Sequence, residues 1–232
     1  MEEGWKGKGQ SIVYSIINPF IKLLVRLGVT PNMITFFGLV LNLLAAGIFI
    51  YGAEYTERGS HQYIAIASAV ILFGGLMDMV DGRLARVGGM SSDFGALYDS
   101  VLDRYSEMFM FLGICYYLIS FDYFLSSLAA FVAMIGSVMV SYTRARAEGL
   151  GVNASVGLMQ RPERILLIGV AGVATGVFSS MYGEVRYTVD WLPIPLFETI
   201  SIFTMPIFLL AIMANVTAVR RLLHAKKEIA KR

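Results

Sequence analysis

Four aspartates stand at spacings that can bring them to one point. Asp78 and Asp81 close one apolar stretch of the chain, and Asp99 and Asp103 open the next. If the first stretch stays helical past its apolar end, Asp78, Asp81, Gly82, Ala85 and Arg86 fall at i, i+3, i+4, i+7 and i+8 and share one face. Gly95, Asp99 and Asp103 recur every four residues, so they line a face of the following helix. A flexible connection from Val87 to Phe94 allows the two faces to meet. Ionised side chains near membrane depth cost about 2.5 to 3.5 kcal/mol each, so four carboxylates together call for a compensating cation. All-oxygen ligation suits a hard divalent ion, magnesium or manganese. Two such ions about 4 Å apart are the common arrangement for displacement at phosphorus. Gly82 and Ala85 leave a shallow strip where a nucleotide can approach the helix backbone. Arg86 offers a planar fork to a phosphate one turn further on. Taken singly, an Asp or Arg at a helix end anchors the helix at the interface and a Gly serves close packing. Clustered at one depth, the eight positions read as a site.

The elements that must position these residues are membrane helices. Hydrophobic residues make up 56% of the 232-residue chain and charged residues only 16%, with a mean hydropathy of +0.66. A soluble domain carries about a quarter of its residues charged. Apolar segments run near 34–53, 63–80, 97–119, 122–143, 164–182 and 194–219. The expected fold is therefore an all-α integral membrane bundle of six transmembrane helices. Ser11 to Gly28 carries Ile12, Ile16, Phe20, Leu23, Leu24 and Leu27 at helical spacing, with Lys22 and Arg26 elsewhere on the surface. This predicts an interfacial amphipathic helix, with a short seventh span as the rival. The expected organisation is a cytoplasmic N-terminal segment with that helix (1–29), a transmembrane catalytic domain (30–222) and a basic cytoplasmic tail (223–232).

Of the 19 lysines and arginines, 17 fall in the N-terminal stretch, the second and fourth connections and the C-terminal tail; only Arg58 and Arg186 lie opposite. The excess of positive charge predicts that the termini and those two connections face the cytoplasm of a multi-pass cell-membrane protein, and the active site with them. Met1 to Gln10 is polar, and the segment after it lacks the small-residue cleavage site of a signal peptide. Cys115 is alone inside an apolar run, and His61 and His224 are far apart, so neither a disulfide nor a histidine zinc site is expected.

At these aspartates the chain resembles the CDP-alcohol phosphotransferase family. Its signature, D-x-x-D-G-x-x-A-R, then seven or eight residues, then G-x-x-x-D-x-x-x-D, is complete here as Asp78, Asp81, Gly82, Ala85, Arg86, Gly95, Asp99 and Asp103. The stretch Thr30 to Thr35 is also similar to the family's lead into its first span. The resemblance implies six spans with an interfacial N-terminal helix and a CDP-linked lipid as donor. It also implies two divalent ions held by Asp78, Asp81 and Asp99, with Asp103 completing the shell or acting as general base. The donor would lie along Asp78, Asp81, Gly82, Ala85, Arg86 and Gly95.

The fourth connection concentrates Arg144, Arg146, Arg161 and Arg164 on the side of the aspartates, which suggests a second anionic group, though positive-inside topology alone also places arginines there. The string resembles family members that use inositol 1-phosphate, with Gln160 standing where those carry an acid. The same resemblance implies Arg144, Arg161 and Arg221 as the phosphate-binding set. Glycerol 3-phosphate is the rival acceptor; free inositol or serine would leave the arginines without an anion. A cation transporter or channel is the rival from another class, but it calls for carboxylates spread along a pore. Membrane lipids are expected partners and nucleic acid is not; the sequence leaves a homodimer open.

Overall fold

A computed structural model describes residues 18–157, 159–188 and 195–231. A short helix α1 occupies 18–26. Six long helices follow: α2 (Pro31–Tyr55), α3 (Gln62–Val87), α4 (Asp93–Ser120), α5 (Phe124–Gly149), α6 (Arg161–Tyr182) and α7 (Ser201–Ile229). Two residues on each side pair antiparallel, β1 (Arg186–Tyr187) with β2 (Phe197–Glu198), in the register Arg186 to Glu198 and Tyr187 to Phe197. The part of the predicted interfacial helix from 11 to 17 lies outside the described residues.

Local chemistry sets where the helices near the aspartates begin. Thr30 caps α2, its Oγ1 accepting from the Met33 N–H at 3.4 Å, and Pro31 follows at the first position. Ser92 caps α4 through a bond from the Gly95 N–H at 3.0 Å. A capping box starts α6, with the Gln160 N–H donating to Glu163 at 2.9 Å and the Gln160 side chain accepting in return. This cap starts α6 three residues before the apolar segment. At the other boundary, α3 does continue past its apolar end and carries Asp81 and Arg86 in its last two turns. The last helix departs from expectation at both ends. It begins at Ser201 because Phe197 and Glu198 are taken by the β-pair, and it runs unbroken to Ile229, so the basic tail from 223 is a continuation of α7.

Helices α2, α3, α6, α7, α5 and α4 pack in that order into a closed ring. Phe49, Ile71, Phe111, Ile114, Phe203 and Ile207 fill its centre. Phe49 meets Tyr117 edge-on and stacks on Phe203, at 6.0 and 6.1 Å between centroids. Close approach depends on small residues: a Cβ on Gly113 of α4 would sit 2.7 Å from the Ala46 Cα of α2. The outward surface remains apolar, with Phe36, Leu44, Phe131, Leu166 and Ile212 exposed. Among the described residues α2, α3, α5, α6 and α7 are long and apolar enough to cross a membrane. Helix α4 has the length, at 28 residues, but its stretch from Asp93 to Glu107 carries Asp99, Asp103, Arg104 and Glu107. The protein is an all-helical, multi-pass membrane protein.

At the end away from the aspartates, side chains tie three connections together. Glu198, buried, takes Arg58 at 3.5 Å and Arg186 at 3.2 Å. Arg58 also donates to the Tyr123 hydroxyl at 3.2 Å. His61 is 1% exposed and lies 3.0 Å from Glu184. Since a carboxylate only accepts, the neutral imidazole carries its proton on Nε2 and donates it to Glu184. Burial outweighs this neighbour and pushes the His61 pKa down to about 4. The unfolded chain therefore takes up the proton first as pH falls below about 6.5. Stability present above that pH is lost progressively toward about pH 4. Melting temperature in detergent is expected to fall between pH 7 and 5, and less so in His61→Asn; equal slopes in the two proteins would contradict this.

Candidate active site

The four aspartates lie at the facing ends of α3 and α4, where Asp78 and Asp103 share one arginine and Asp81 and Asp99 line one cavity. Asp81 is 5% exposed and its Oδ2 accepts a 2.8 Å bond from the Thr35 hydroxyl of α2. Asp78 and Asp103 share the Arg161 guanidinium: Nη1 lies 2.7 Å from the Asp103 Oδ2 and also bonds Asp78. Arg161 opens α6, so the capping box at Gln160 and Glu163 aims it at the carboxylates. Sequence reasoning places Arg161 among acceptor-binding arginines; the structure sets it first against the aspartates.

Three cavities meet at these side chains. One of about 220 Å³ runs over Gly82 and Ala85 between Asn32, Thr35, Asp81, Gly95 and Asp99. Gly95 keeps this wall low: a Cβ would stand tightly, 3.0 Å from Ser92 Oγ, and in ordinary contact with Asn32 Oδ1 at 3.5 Å. Arg86 folds back over this strip, its Nε donating to the Gly82 carbonyl at 2.9 Å, with the outer guanidinium nitrogens beyond. A second cavity, about 520 Å³ and largely apolar, opens between α3 and α6 past Leu72, Leu76, Ile165 and Leu166, with Asp78, Asp103 and Arg161 at its inner wall. The third, about 510 Å³, is polar: Asp99, Asp103, Arg144, Gln160, Arg161 and Arg221 line it. Asp99 belongs to the first and third, Asp103 and Arg161 to the second and third.

Two of the expected acceptor arginines are placed differently from Arg144: Arg164 also lines the polar cavity but is held by partners, and Arg146 does not line it. Arg164 is completely buried and holds Glu107 through Nε at 2.7 Å and Nη2 at 3.0 Å, while Nη1 donates to the Met159 carbonyl at 2.8 Å. With each guanidinium nitrogen making one of these bonds, Arg164 fastens α6 to α4. Arg146 lies on the opposite side of α5 from Arg144, in a separate groove facing α7, because two residues along a helix turn a side chain through about 200°. Arg221 fits the expectation better. It is 3% exposed, donates from Nε to Val156 at 2.8 Å and from Nη1 to Val140 at 2.9 Å, and lines the polar cavity. Arg144 lines it too, paired with Glu148 at 2.8 Å. Glu107, Thr35 and Asn32 are the residues that sequence reasoning missed. Glu107 had a signal, since it extends the recurrence of Gly95, Asp99 and Asp103 by one more step of four.

The residues fit a hard divalent ion by their chemistry. Every candidate ligand is a carboxylate, and a guanidinium already supplies positive charge between two of them. Among the described residues no three acidic, histidine or cysteine side chains converge closely enough to hold an ion as they stand.

Carboxylates that gather a cation, a strip of small residues beside them and an arginine-lined cavity adjoining, all at one end of a membrane bundle, define a membrane-embedded phosphotransferase. The chain belongs to the CDP-alcohol phosphatidyltransferase family, whose model matches residues 28–219. It is a metal-dependent transferase of phospholipid biosynthesis. Among its relatives, the archaetidylinositol phosphate synthase of Pyrococcus horikoshii is 31% identical over 210 residues, 90% of this chain and 89% of the relative. The phosphatidylinositol phosphate synthase of Mycobacteroides abscessus is 34% identical over 165 residues, 70% of each chain. The fold is similar to the crystal structure of Mycobacterium tuberculosis phosphatidylinositol phosphate synthase with CDP-DAG bound, at a TM-score of 0.70 and 27% identity over 91% of this chain and 94% of that one. A structure of the same mycobacterial enzyme with manganese and citrate matches at a TM-score of 0.71 and 25% identity, over 89% and 87% of the two chains.

Proposed function

We propose that the protein transfers the phosphatidyl-type group of CDP-diacylglycerol, or a similar CDP-linked lipid, to a hydroxyl of inositol 1-phosphate and releases CMP. The observation that carries this reading is the polar cavity, in which Arg144, Arg161 and Arg221 face the same space as Asp99 and Asp103. A phosphomonoester bound there has its dianion among guanidinium groups and its sugar ring toward the carboxylates. Arg221 spends two donors on carbonyls, which fixes the fork and turns its remaining nitrogen to the ligand. The similarity to inositol phosphate lipid synthases supports the same acceptor.

The donor's nucleotide fits along the Gly82 and Ala85 strip, Arg86 reaches its phosphates, and its tails occupy the apolar cavity between α3 and α6. Asp103 takes the proton of the acceptor hydroxyl as the new bond forms from that oxygen to the β-phosphorus and the bond from phosphorus to CMP breaks. Thr35 fixes the rotamer of Asp81. Leu72, Ile165 and Leu166 keep bulk water from the reacting phosphorus. Divalent ions, magnesium or manganese and two in number, held by Asp78, Asp81, Asp99 and Asp103, supply polarisation of the phosphoryl oxygens when bound. The active site faces the cytoplasm of the cell membrane by the positive-inside rule.

The acceptor is tested by offering inositol 1-phosphate, glycerol 3-phosphate and free inositol together with CDP-diacylglycerol and reading products by mass spectrometry. Inositol 1-phosphate is expected to dominate; preferential use of glycerol 3-phosphate would overturn the acceptor and leave the reaction class intact. Arg144→Ala is expected to raise the acceptor's KM about tenfold or more with little change in kcat, since a charged hydrogen bond is worth roughly 1.5 to 3 kcal/mol and this phosphate does not react. An unchanged KM would remove Arg144 from the pocket. Orientation is read by labelling in a Cys115→Ser background. Arg58→Cys and Arg186→Cys should react with an impermeant maleimide outside intact cells, whereas Lys227→Cys should react only after permeabilisation.

A further inference from the structure

Arg146 lies outside the polar cavity, in surroundings of another kind. The last turns of α5 and α7 form a wall with two faces. Val140, Ser141, Arg144, Ala145 and Glu148 look into the polar cavity. Tyr142, Thr143, Arg146, Ala147 and Leu150, offset by two residues, look the other way. On that far side they meet Leu222, Leu223, Lys226 and Ile229 of α7 around a groove of about 660 Å³. The groove is apolar along its length, and Tyr142, Leu150, Leu222 and Leu223 are each exposed by 46% or more. Among the described residues its only charged lining residues are Arg146 and Lys226, both exposed, and no acidic side chain lines it.

We propose that this groove binds one anionic phospholipid of the surrounding bilayer, an acyl chain lying between α5 and α7 and the phosphodiester on Arg146 and Lys226. Charge complementarity selects the occupant. Neither cation has a hydrogen bond or ion pair among the described residues, whereas neighbouring Arg144 and Arg221 are held by Glu148 and by backbone carbonyls. Depth agrees with this, because Arg144, Arg146, Arg220, Arg221, Lys226 and Lys227 gather at this end of the two helices, where basic residues mark the boundary with the headgroups. An apolar trough ending in two free cations at that level matches an amphiphile with a negative head. A soluble anion has no use for the trough, and a neutral lipid has none for the cations.

The proposal is tested by delipidating purified protein in detergent and adding back phosphatidylglycerol or phosphatidylcholine, with bound lipid counted by native mass spectrometry. Two basic residues at the headgroup level predict a preference for phosphatidylglycerol on the order of tenfold to thirtyfold. The double variant Arg146→Gln, Lys226→Gln should lose that preference. Removing the same charge outside the groove, in Arg220→Gln, Lys227→Gln, should keep it. Equal retention of the two lipids by the unsubstituted protein overturns the proposal, and so does a preference that survives the first double variant. Loss in both double variants would mean that diffuse surface charge, and not a site, attracts the lipid. Displacement of the bound lipid by inorganic phosphate would show that the groove reads the anion alone, which also overturns it. Lipid retention is independent of which acceptor the enzyme uses.

Discussion

Asp103→Asn is expected to lower turnover by about 10²- to 10⁴-fold, the range for loss of a general base, while retaining CDP-lipid binding better than Asp78→Asn does. The substitution keeps the shape of the side chain and one oxygen for Arg161, which lies 2.7 Å away. What it removes is the ability to take the acceptor's proton. Asp78→Asn is expected to fail differently, losing donor binding along with rate, because Asp78 faces the apolar cavity as well as Arg161. Single-turnover rates with the acceptor saturating, beside equilibrium retention of labelled CDP-lipid, separate the two. Excess chelator should abolish turnover in the unsubstituted protein, with magnesium or manganese restoring it. An Asp103→Asn enzyme turning over near the normal rate would refute the assignment of the base.

Glu107→Ala or Arg164→Ala is expected to destabilise the bundle by about 3 to 5 kcal/mol, because each leaves an unpaired charge buried. The pair is bidentate, and its side chains are 2% and 1% exposed. Replacing both with leucine should cost less than the worse of the single changes, since no orphaned charge then remains. Thermal unfolding in detergent measures the cycle. Additive losses would mean that the two groups are not coupled. Because Arg164 also anchors the Met159 carbonyl just before α6, the single variants should loosen Arg161 and the N-terminus of that helix.

The placement of the aspartates was legible because helical periodicity carries it: Asp78 and Asp81 on one stretch and Asp99 and Asp103 on the next need only two helices and a short turn. The long helices were legible from hydropathy for the same reason. Arginines were read less well. Arg144, Arg146, Arg161 and Arg164 look alike in a connecting sequence, and which way each turns is settled by partners far along the chain, Glu107 for Arg164 and Asp78 and Asp103 for Arg161. The start of α7 was misjudged because an apolar run does not reveal that Phe197 and Glu198 pair with Arg186 and Tyr187. Nor does local sequence reveal that Arg58 meets Glu198, since the two are joined only by the closing of the helix ring.

The meeting of three cavities at the aspartates has a consequence for traffic. By its lining, the apolar space between α3 and α6 suits filling sideways, by lateral diffusion within the leaflet, whereas the arginine-lined space suits a solute arriving from water. Their shared wall is little more than Asp103, Arg161 and Pro162. A greasy reactant and a highly charged one can thus arrive through separate doors, each in the solvent it prefers, and neither has to cross the other's path to leave.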